Sequence, residues 1–263
     1  MKRHIERVRR ATWSYKQPLT CLPKFAGVPV SDLFVWRHSE KWETFFELID
    51  LPALFEEQKT TGAFITLVLF DAAGQLIIEK TVEITPGRRN TLNLSKIIGY
   101  DFGSIGTFCV FHSHTPQCLL RLGSHLTERG YVSYKYSGAP IRGYVHGNLD
   151  AIARLPNQSM QLLGGQSIRR REFNIQHELV MHGYYEFGIV NPTPRIQRIV
   201  CRSPSASGKL LISQTVNLLP RGSHLFRVVP EQVQQRIVIS SHLVMARPLV
   251  FHIKNERMDV FHA

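Results

Sequence analysis

An internal repeat constrains the fold of this chain more than any other feature of its sequence. Residues 74–94 return without a gap as residues 208–228, and six positions are identical in the two copies. The identical pairs are Gly74 and Gly208, Leu76 and Leu210, Ile78 and Ile212, Thr81 and Thr215, Val82 and Val216, and Pro86 and Pro220. After a slip of two residues, the match resumes between 105–116 and 237–248. Such a repeat indicates two related supersecondary units that arose by duplication.

Each copy has the alternating pattern of a half-buried strand that runs into a turn. Leu76 and Ile78 alternate with polar neighbours, Val82 and Ile84 continue the alternation, and a Pro-Gly step follows. Short strands at this spacing, without long helices between them, are typical of antiparallel sandwiches. The sequence therefore predicts an all-β fold of two tandem antiparallel β-sandwich domains, immunoglobulin-like in shape.

The repeat and local composition divide the chain into segments. We expect a basic N-terminal arm over 1–27, a first sandwich over 28–147, a linker over 148–164 and a second sandwich over 165–263. Within the first sandwich, Trp42, Phe45, Phe46 and Ile49 recur at helical spacing. This spacing predicts a short helical insertion over 37–60.

The net charge of +12 is distributed unevenly along the chain. Lys and Arg exceed Asp and Glu by six over 1–27 and by seven over 165–263, whereas the first sandwich has a net charge of −1 and the linker is neutral. This pattern favours an acidic protein or another polyanion as a partner. Specific nucleic-acid binding is not expected, because no recognition-helix, RNP or zinc-finger pattern accompanies the charge.

The prediction of localisation rests on the absence of long apolar runs from the sequence. No run of about eighteen apolar residues is present, so no membrane span is expected. The basic residues 1–10 are not followed by the apolar core of a secretion signal, which favours a cytoplasmic protein. The oligomeric state is left open.

The densest group of candidate ligand contacts lies near the end of the first sandwich. Tyr134 and Tyr136 alternate onto one face of a predicted strand, and a turn at Pro140 follows. Other candidates beyond this turn are Arg142, Tyr144, His146 and Asn148. Flat tyrosine rings beside a guanidinium and an amide suit the rings and hydroxyls of a saccharide, so a saccharide is the predicted ligand.

A second interpretation rests on histidines. Gly106, five intervening residues and then His112-Ser113-His114 resemble the opening of the cupin metal-binding motif. Pro140, Gly143 and His146 resemble its second half. The resemblance implies a barrel in which His112, His114 and His146 bind a metal ion. The glutamate of the motif is absent, and the Pro-to-Gly spacing is one residue too long.

Three classes of function remain at this point. The leading prediction is a non-enzymatic binding or accessory module, with no catalytic residue and no cofactor. The first alternative is a cupin-like metal-dependent enzyme. The second is a structural or assembly protein that uses its exposed strand edges.

Overall fold

The computed structural model shows an all-β protein. It describes residues 19–55, 62–98, 102–137, 139–147, 150–175, 177, 179–204, 210–231, 235–244 and 248–263. The strands among these residues form five four-stranded sheets. The prediction of two tandem immunoglobulin-like sandwiches is wrong, since the five sheets are arranged as a five-bladed β-propeller. Within the described residues, no helix is long and apolar enough to cross a membrane.

The sheets combine strands that are distant along the chain. Sheet 1 contains, in spatial order, β2 (Phe34–Arg37), β7 (Ile105–His112), β4 (Ala63–Asp71) and β5 (Leu76–Ile84). Sheet 2 contains β10 (Gly143–His146), β9 (Tyr131–Tyr136), β3 (Trp42–Leu48) and β6 (Asn90–Asn93). Sheet 3 contains β12 (Met160–Leu162), β11 (Asp150–Arg154), β1 (Val30–Asp32) and β8 (Thr127–Glu128). Sheet 4 contains β13 (Gln166–Asn174), β18 (Val238–Leu243), β15 (Gln197–Pro204) and β16 (Leu210–Leu218). Sheet 5 contains β17 (Ser223–Val228), β14 (Tyr184–Val190), β19 (Leu249–Lys254) and β20 (Arg257–His262).

Helical structure is confined to short pieces in the part of the chain that the structure describes. These are a 3₁₀ turn at Pro52–Leu54 and two α-helical turns at Leu94–Ile98 and Gln117–Arg121. The ladder between β1 and β8 is parallel, and the other ladders among the described strands are antiparallel.

The two copies of the repeat have the same local structure. In the first copy, β5 is followed by a turn and by β6, and in the second copy β16 is followed by a turn and by β17. Gly87 and Arg221 occupy the same position of the two turns, and both are left-handed, with φ of 63° and 66°. In each copy the chain leaves the edge strand of one sheet and enters another sheet.

The packing of the halves 28–147 and 165–263 differs from the prediction of two separate cores. One buried cluster combines Trp36, Phe46 and Tyr134 of the first half with Phe251 and Val260 of the second half. A further cluster is built from the second half alone. The halves therefore share apolar burial, which couples their stability.

The turn of the second copy also contacts the start of the first copy. Gly74 has a φ of 80°, and a Cβ atom at this position would lie 2.1 Å from the carbonyl oxygen of Pro220. The hydroxyl of Thr107 donates to the carbonyl of Arg221 over 2.6 Å, and the amide of Ser223 donates to the carbonyl of Ala72 over 3.0 Å. Glycine is required at position 74 because both the backbone conformation and this close approach exclude a side chain.

The predicted helical insertion over 37–60 is wrong for the residues that the structure describes. Trp42–Leu48 is strand β3, and the described remainder of the insertion includes the 3₁₀ turn. Trp42, Thr44, Phe46 and Leu48 are buried, so the period of burial is two rather than 3.6. Aromatic residues favour strands, and pairing with β9 and β6 supplies the backbone partners that an isolated segment lacks. Residues 56–60 lie outside the described residues.

The segment predicted as a linker, 148–164, contains ladder-paired backbone. β11 pairs with β1 and β12, so this segment forms half of sheet 3. Ala151, Ile152 and Ala153 are fully buried. The backbone of β11 and β12 in this segment is therefore hydrogen-bonded within a sheet. Of the predicted basic arm, residues 1–18 lie outside the described residues.

Burial lowers the pKa of two histidines in the second half, His224 and His252, and for His252 nearby Asp259 opposes the shift while His177 and Lys254 reinforce it. Below about pH 6.5 the unfolded chain therefore binds more protons at these positions than the folded protein. The contribution of these two histidines to the free energy of unfolding should therefore fall as the pH decreases from 7 towards 5. Thermal unfolding of wild type and of His224→Phe/His252→Phe at pH 7.5, 6.0 and 5.0 measures this. The melting temperature of the double variant should decrease less between pH 7.5 and 5.0 than that of wild type. An equal decrease in the two proteins would contradict the prediction.

Candidate ligand-binding site

The tyrosines of strand β9 lie on two different faces of sheet 2. Tyr134 is fully buried, and its hydroxyl donates to the carbonyl of Val35 over 2.8 Å. Tyr136 is also buried, and its ring centroid lies 4.8 Å from that of Trp42. Burial raises the pKa of Tyr134. Tyr134 and Tyr136 therefore do not form the predicted ligand platform, because both rings pack inside the core.

The opposite face of sheet 2 carries the exposed tyrosines. Tyr144 pairs with Ser133, and His146 pairs with Tyr131, in the antiparallel ladder between β9 and β10. Side chains that alternate along paired strands share a face, so Tyr131 and Tyr144 both point away from the buried Tyr134. Tyr131 is 56% exposed and Tyr144 is 45% exposed.

The two exposed tyrosines line a groove of about 790 Å³, which we call the tyrosine groove. Its other walls include Ile49 after β3, Arg89 before β6, and the two carboxylate residues Glu47 and Glu128. Gly130 also lines the groove, and a Cβ atom there would lie 2.5 Å from the carbonyl oxygen of Glu47. A groove of this size is within the range of small-ligand sites.

Glu47 is a buried carboxylate between two guanidinium groups. It forms an ion pair with exposed Arg89, and its Oε1 lies 3.6 Å from Nη1 of Arg142. The Arg142 guanidinium also lies 4.3 Å from the ring centroid of Phe45. These contacts compensate the cost of burying a charge at this position.

Glu128 is held by two donors at the opposite side of the groove. Its Oε1 accepts from the amide of Gly130 over 2.6 Å, and its Oε2 lies 2.7 Å from Nε2 of His112. Glu128 and His112 are both buried. The next residue, Arg129, donates to Oδ1 of Asp150 over 2.6 Å. Strand β8 thus supplies a fixed carboxylate, and the residue after the strand supplies a paired guanidinium.

The remaining predicted ligand residues are divided by the structure. Tyr144 lies in the groove, and Arg142 contacts the Glu47 carboxylate at its edge. His146 is exposed, and its ring lies 6.4 Å from that of Tyr131 and 5.5 Å from that of His262. Asn148 lies outside the described residues. The groove therefore keeps part of the predicted set but uses Tyr131 in place of Tyr134 and Tyr136.

The three histidines of the cupin-like interpretation are not brought together. His112 is buried against Glu128, His114 lies in an exposed position beyond β7, and His146 lies beside His262. No group of three or more His, Cys, Asp or Glu that could hold a metal occurs within the ranges that the structure describes. His112 instead positions Glu128.

Several groove residues are missing from the sequence prediction. Glu47 and Glu128 are more than eighty residues apart in the chain and meet only because β3 pairs with β9, which follows β8. A signal for Tyr131 was present, since it alternates with Ser133 and Lys135 on the face opposite to Tyr134. Pairing between β9 and β10 selects that face, and the sequence does not give the pairing.

Comparisons with known proteins do not identify a family. No protein-family model matches the chain, and no curated protein matches it. Among solved structures, the chain is compared with a glycosyl hydrolase family 2 member from Bacteroides cellulosilyticus DSM 14838, with 7% identity and a TM-score of 0.15. The match covers 93% of this chain and 30% of that chain. At this TM-score, the likeness carries no argument about fold or function.

Proposed function

We propose that this protein is a non-enzymatic saccharide-binding module whose ligand lies in the tyrosine groove. The observation that carries the proposal is the pair of exposed tyrosines, Tyr131 and Tyr144, on one sheet face beside two fixed carboxylates. An all-β fold fits a binding or accessory module. The proposal assigns the ligand class from the chemistry of the groove.

The tyrosines supply flat apolar area for one face of a sugar ring. Exposed aromatic rings on a rigid sheet lose little conformational entropy on binding, and their hydroxyls remain available for hydrogen bonds. Ile49 is also partly exposed at the groove and extends the apolar wall. Burial of each ring by a ligand contributes about 1–2 kcal/mol, so two rings support binding of a small polar molecule.

The charged residues supply the hydrogen bonds that a sugar requires. The Arg89 side chain is 66% exposed and donates to ring or hydroxyl oxygens of the ligand. The buried carboxylate of Glu47 pairs with Arg89 and orients its guanidinium group, which reduces the cost of ordering Arg89 on binding. A fixed donor beside a flat apolar wall distinguishes a saccharide from a purely apolar ligand.

The proposal is tested with a glycan array followed by titration calorimetry with the glycans that bind. Tyr131→Ala/Tyr144→Ala should weaken binding at least about tenfold, because both ring contacts are lost. Phe64→Ala is the matched control, since Phe64 is an exposed aromatic residue of β4 outside the groove. Both variants should keep the wild-type melting temperature to within a few degrees.

Two results would contradict the proposal. The first is an array without any bound glycan, and the second is a double tyrosine variant that binds as tightly as wild type. The non-enzymatic part has its own measurement, because prolonged incubation of the protein with a bound oligosaccharide should generate no new reducing ends. Release of reducing ends that depends on Glu47 or Glu128 would reassign the groove to hydrolysis.

A further inference from the structure

One face of sheet 4 is strongly basic. Strand β15 alternates between buried Ile199, Cys201 and Ser203 and the more exposed side chains of Arg198 and Arg202. The spacing of four residues along one strand places these two arginines about 14 Å apart on the same face.

The neighbouring strand adds polar groups to this face. In the ladder between β15 and β16, Arg198 is opposite Asn217 and Arg202 is opposite Ser213, with Thr215 between them. Ser213, Thr215 and Asn217 are all exposed. The strand edge next to the arginines is therefore a row of hydroxyl and amide side chains.

A third arginine reaches the same face from β13. The register between β13 and β18 shifts between Gln166 and Arg171, and this irregularity includes Arg170. The Nη2 atom of Arg170 lies 3.3 Å from the carbonyl oxygen of Arg198 and 3.5 Å from that of Ser240. The Arg170 guanidinium is thereby placed over the sheet, beside the backbone of Arg198.

The charge on this face is only partly compensated. Glu172 forms an ion pair with Arg202, while Nδ1 of His242 donates to the carbonyl of Ser167 over 3.0 Å. The whole second half carries thirteen Lys or Arg against six Asp or Glu. We define the arginine face as Arg170, Arg198 and Arg202 with the row Ser213, Thr215 and Asn217.

We propose that the arginine face binds an anionic polysaccharide, a linear glycan that carries sulfate or carboxylate groups. Guanidinium groups bind such anions through paired hydrogen bonds, and the hydroxyl and amide row is suited to the sugar hydroxyls between them. This inference goes beyond the tyrosine groove, since the face lies on the other half and recognises charge rather than the flat side of a ring.

The shape of the face favours a polysaccharide over a nucleic acid. The described part of the face presents no Phe, Tyr or Trp on which bases would stack, and single-stranded nucleic acid depends on such stacking. Sequence-specific binding to a duplex requires a helix or ribbon that enters a groove, whereas this surface is the face of a four-stranded sheet. The remaining match is a flexible chain of anions laid across the strands.

The test uses fluorescent dextran sulfate fragments and neutral dextran of equal length, with anisotropy titrations at 50, 100 and 200 mM NaCl. Wild type should bind dextran sulfate and not neutral dextran. The logarithm of the affinity should fall with the logarithm of the salt concentration with a slope near −3, about one for each arginine. Arg170→Gln/Arg198→Gln/Arg202→Gln should bind at least about tenfold more weakly at 100 mM NaCl, with a slope near zero.

A matched control removes the same charge elsewhere. Arg88→Gln/Lys254→Gln/Arg257→Gln changes three exposed basic residues outside the face and should reduce binding less than about twofold. Equal losses in the two triple variants would overturn the proposal in favour of net charge alone. Tighter binding of a DNA duplex or single strand than of dextran sulfate, dependent on the three arginines, would overturn it in favour of a nucleic acid.

The two proposed sites are separated by their variants. Tyr131→Ala/Tyr144→Ala should bind dextran sulfate as wild type does, because the groove is on sheet 2 and the arginine face is on sheet 4. Failure of the groove proposal therefore leaves the arginine face untouched, and loss of dextran sulfate binding in the tyrosine variant would overturn the assignment to sheet 4.

Discussion

Replacement of Glu186 by alanine is expected to lower the free energy of unfolding by about 3–5 kcal/mol, because it leaves a buried guanidinium without its anionic partner. Nη1 of Arg37 lies 2.6 Å from Oε2 of Glu186, and the two side chains are only 9% and 13% exposed. Arg37 also lies 3.6 Å above the ring of Trp42 and 4.7 Å from that of Phe251. Denaturant titration followed by circular dichroism measures the change.

The Arg37–Glu186 pair joins the first half to the second half, so its loss should affect both. Burial lowers the pKa of Arg37, and the neighbouring Glu186 opposes this shift. An arginine keeps its proton at neutral pH even when it is buried. The cost of leaving its charge unpaired therefore lowers the free energy of unfolding.

The matched control is the surface pair between Glu43 and Lys135. Their charged atoms are 3.5 Å apart, and both side chains are about half exposed. Glu43→Ala should cost less than about 1 kcal/mol, because solvent screens an exposed pair. Arg37→Met/Glu186→Leu should recover much of the stability lost in Glu186→Ala. A loss in Glu186→Ala no larger than that in Glu43→Ala would contradict the prediction.

The strands of the repeat could be predicted because their information is local. Alternation over 76–84 and 210–218 gives both the element type and the boundaries that the structure has for β5 and β16. The Pro residues at the ends of these strands indicate the turns that Gly87 and Arg221 complete. Local propensity and ladder pairing agree in these segments, so the sequence is sufficient there.

The packing of the sheets could not be predicted from the same alternation. A period of two indicates which residues of a strand share a face of its sheet. It does not indicate which other sheet packs against that face. In the sequence, Phe251 is one apolar residue of β19 among several. Only the fold shows that its ring packs against Trp42 and Tyr134 of the other half. The prediction of two tandem sandwiches assumed that each repeat buries its own core.

The candidate site was half predictable for a related reason. The sequence locates a tyrosine-rich hairpin over 131–146 and includes Tyr144 and Arg142 in it. It does not decide between the face of Tyr131 and the face of Tyr134, because each face carries at least one tyrosine. A shift by one residue exchanges the faces of a strand, so the choice depends on the pairing of β9 with its two neighbours, β10 and β3.

Replacement of Phe251 by alanine is expected to destabilise the whole protein by about 3–5 kcal/mol in one transition. The ring is fully buried, and its centroid lies 5.2 Å from that of Trp42 and 4.8 Å from that of Tyr134. Phe251 belongs to the second half, whereas both described tryptophans, Trp36 and Trp42, belong to the first. Tryptophan fluorescence should therefore report the loss together with circular dichroism.

The decisive comparison is between these two signals in one denaturant titration. A shared core requires the fluorescence and circular dichroism midpoints of Phe251→Ala to fall together, since removal of the ring leaves a cavity against Trp42. Phe64→Ala, at an exposed position on β4, should shift neither midpoint by more than a small amount. If the fluorescence midpoint of Phe251→Ala stayed at the wild-type value while circular dichroism showed early unfolding, the halves would be independent, and the contacts of Phe251 would contribute little to the stability of the first half.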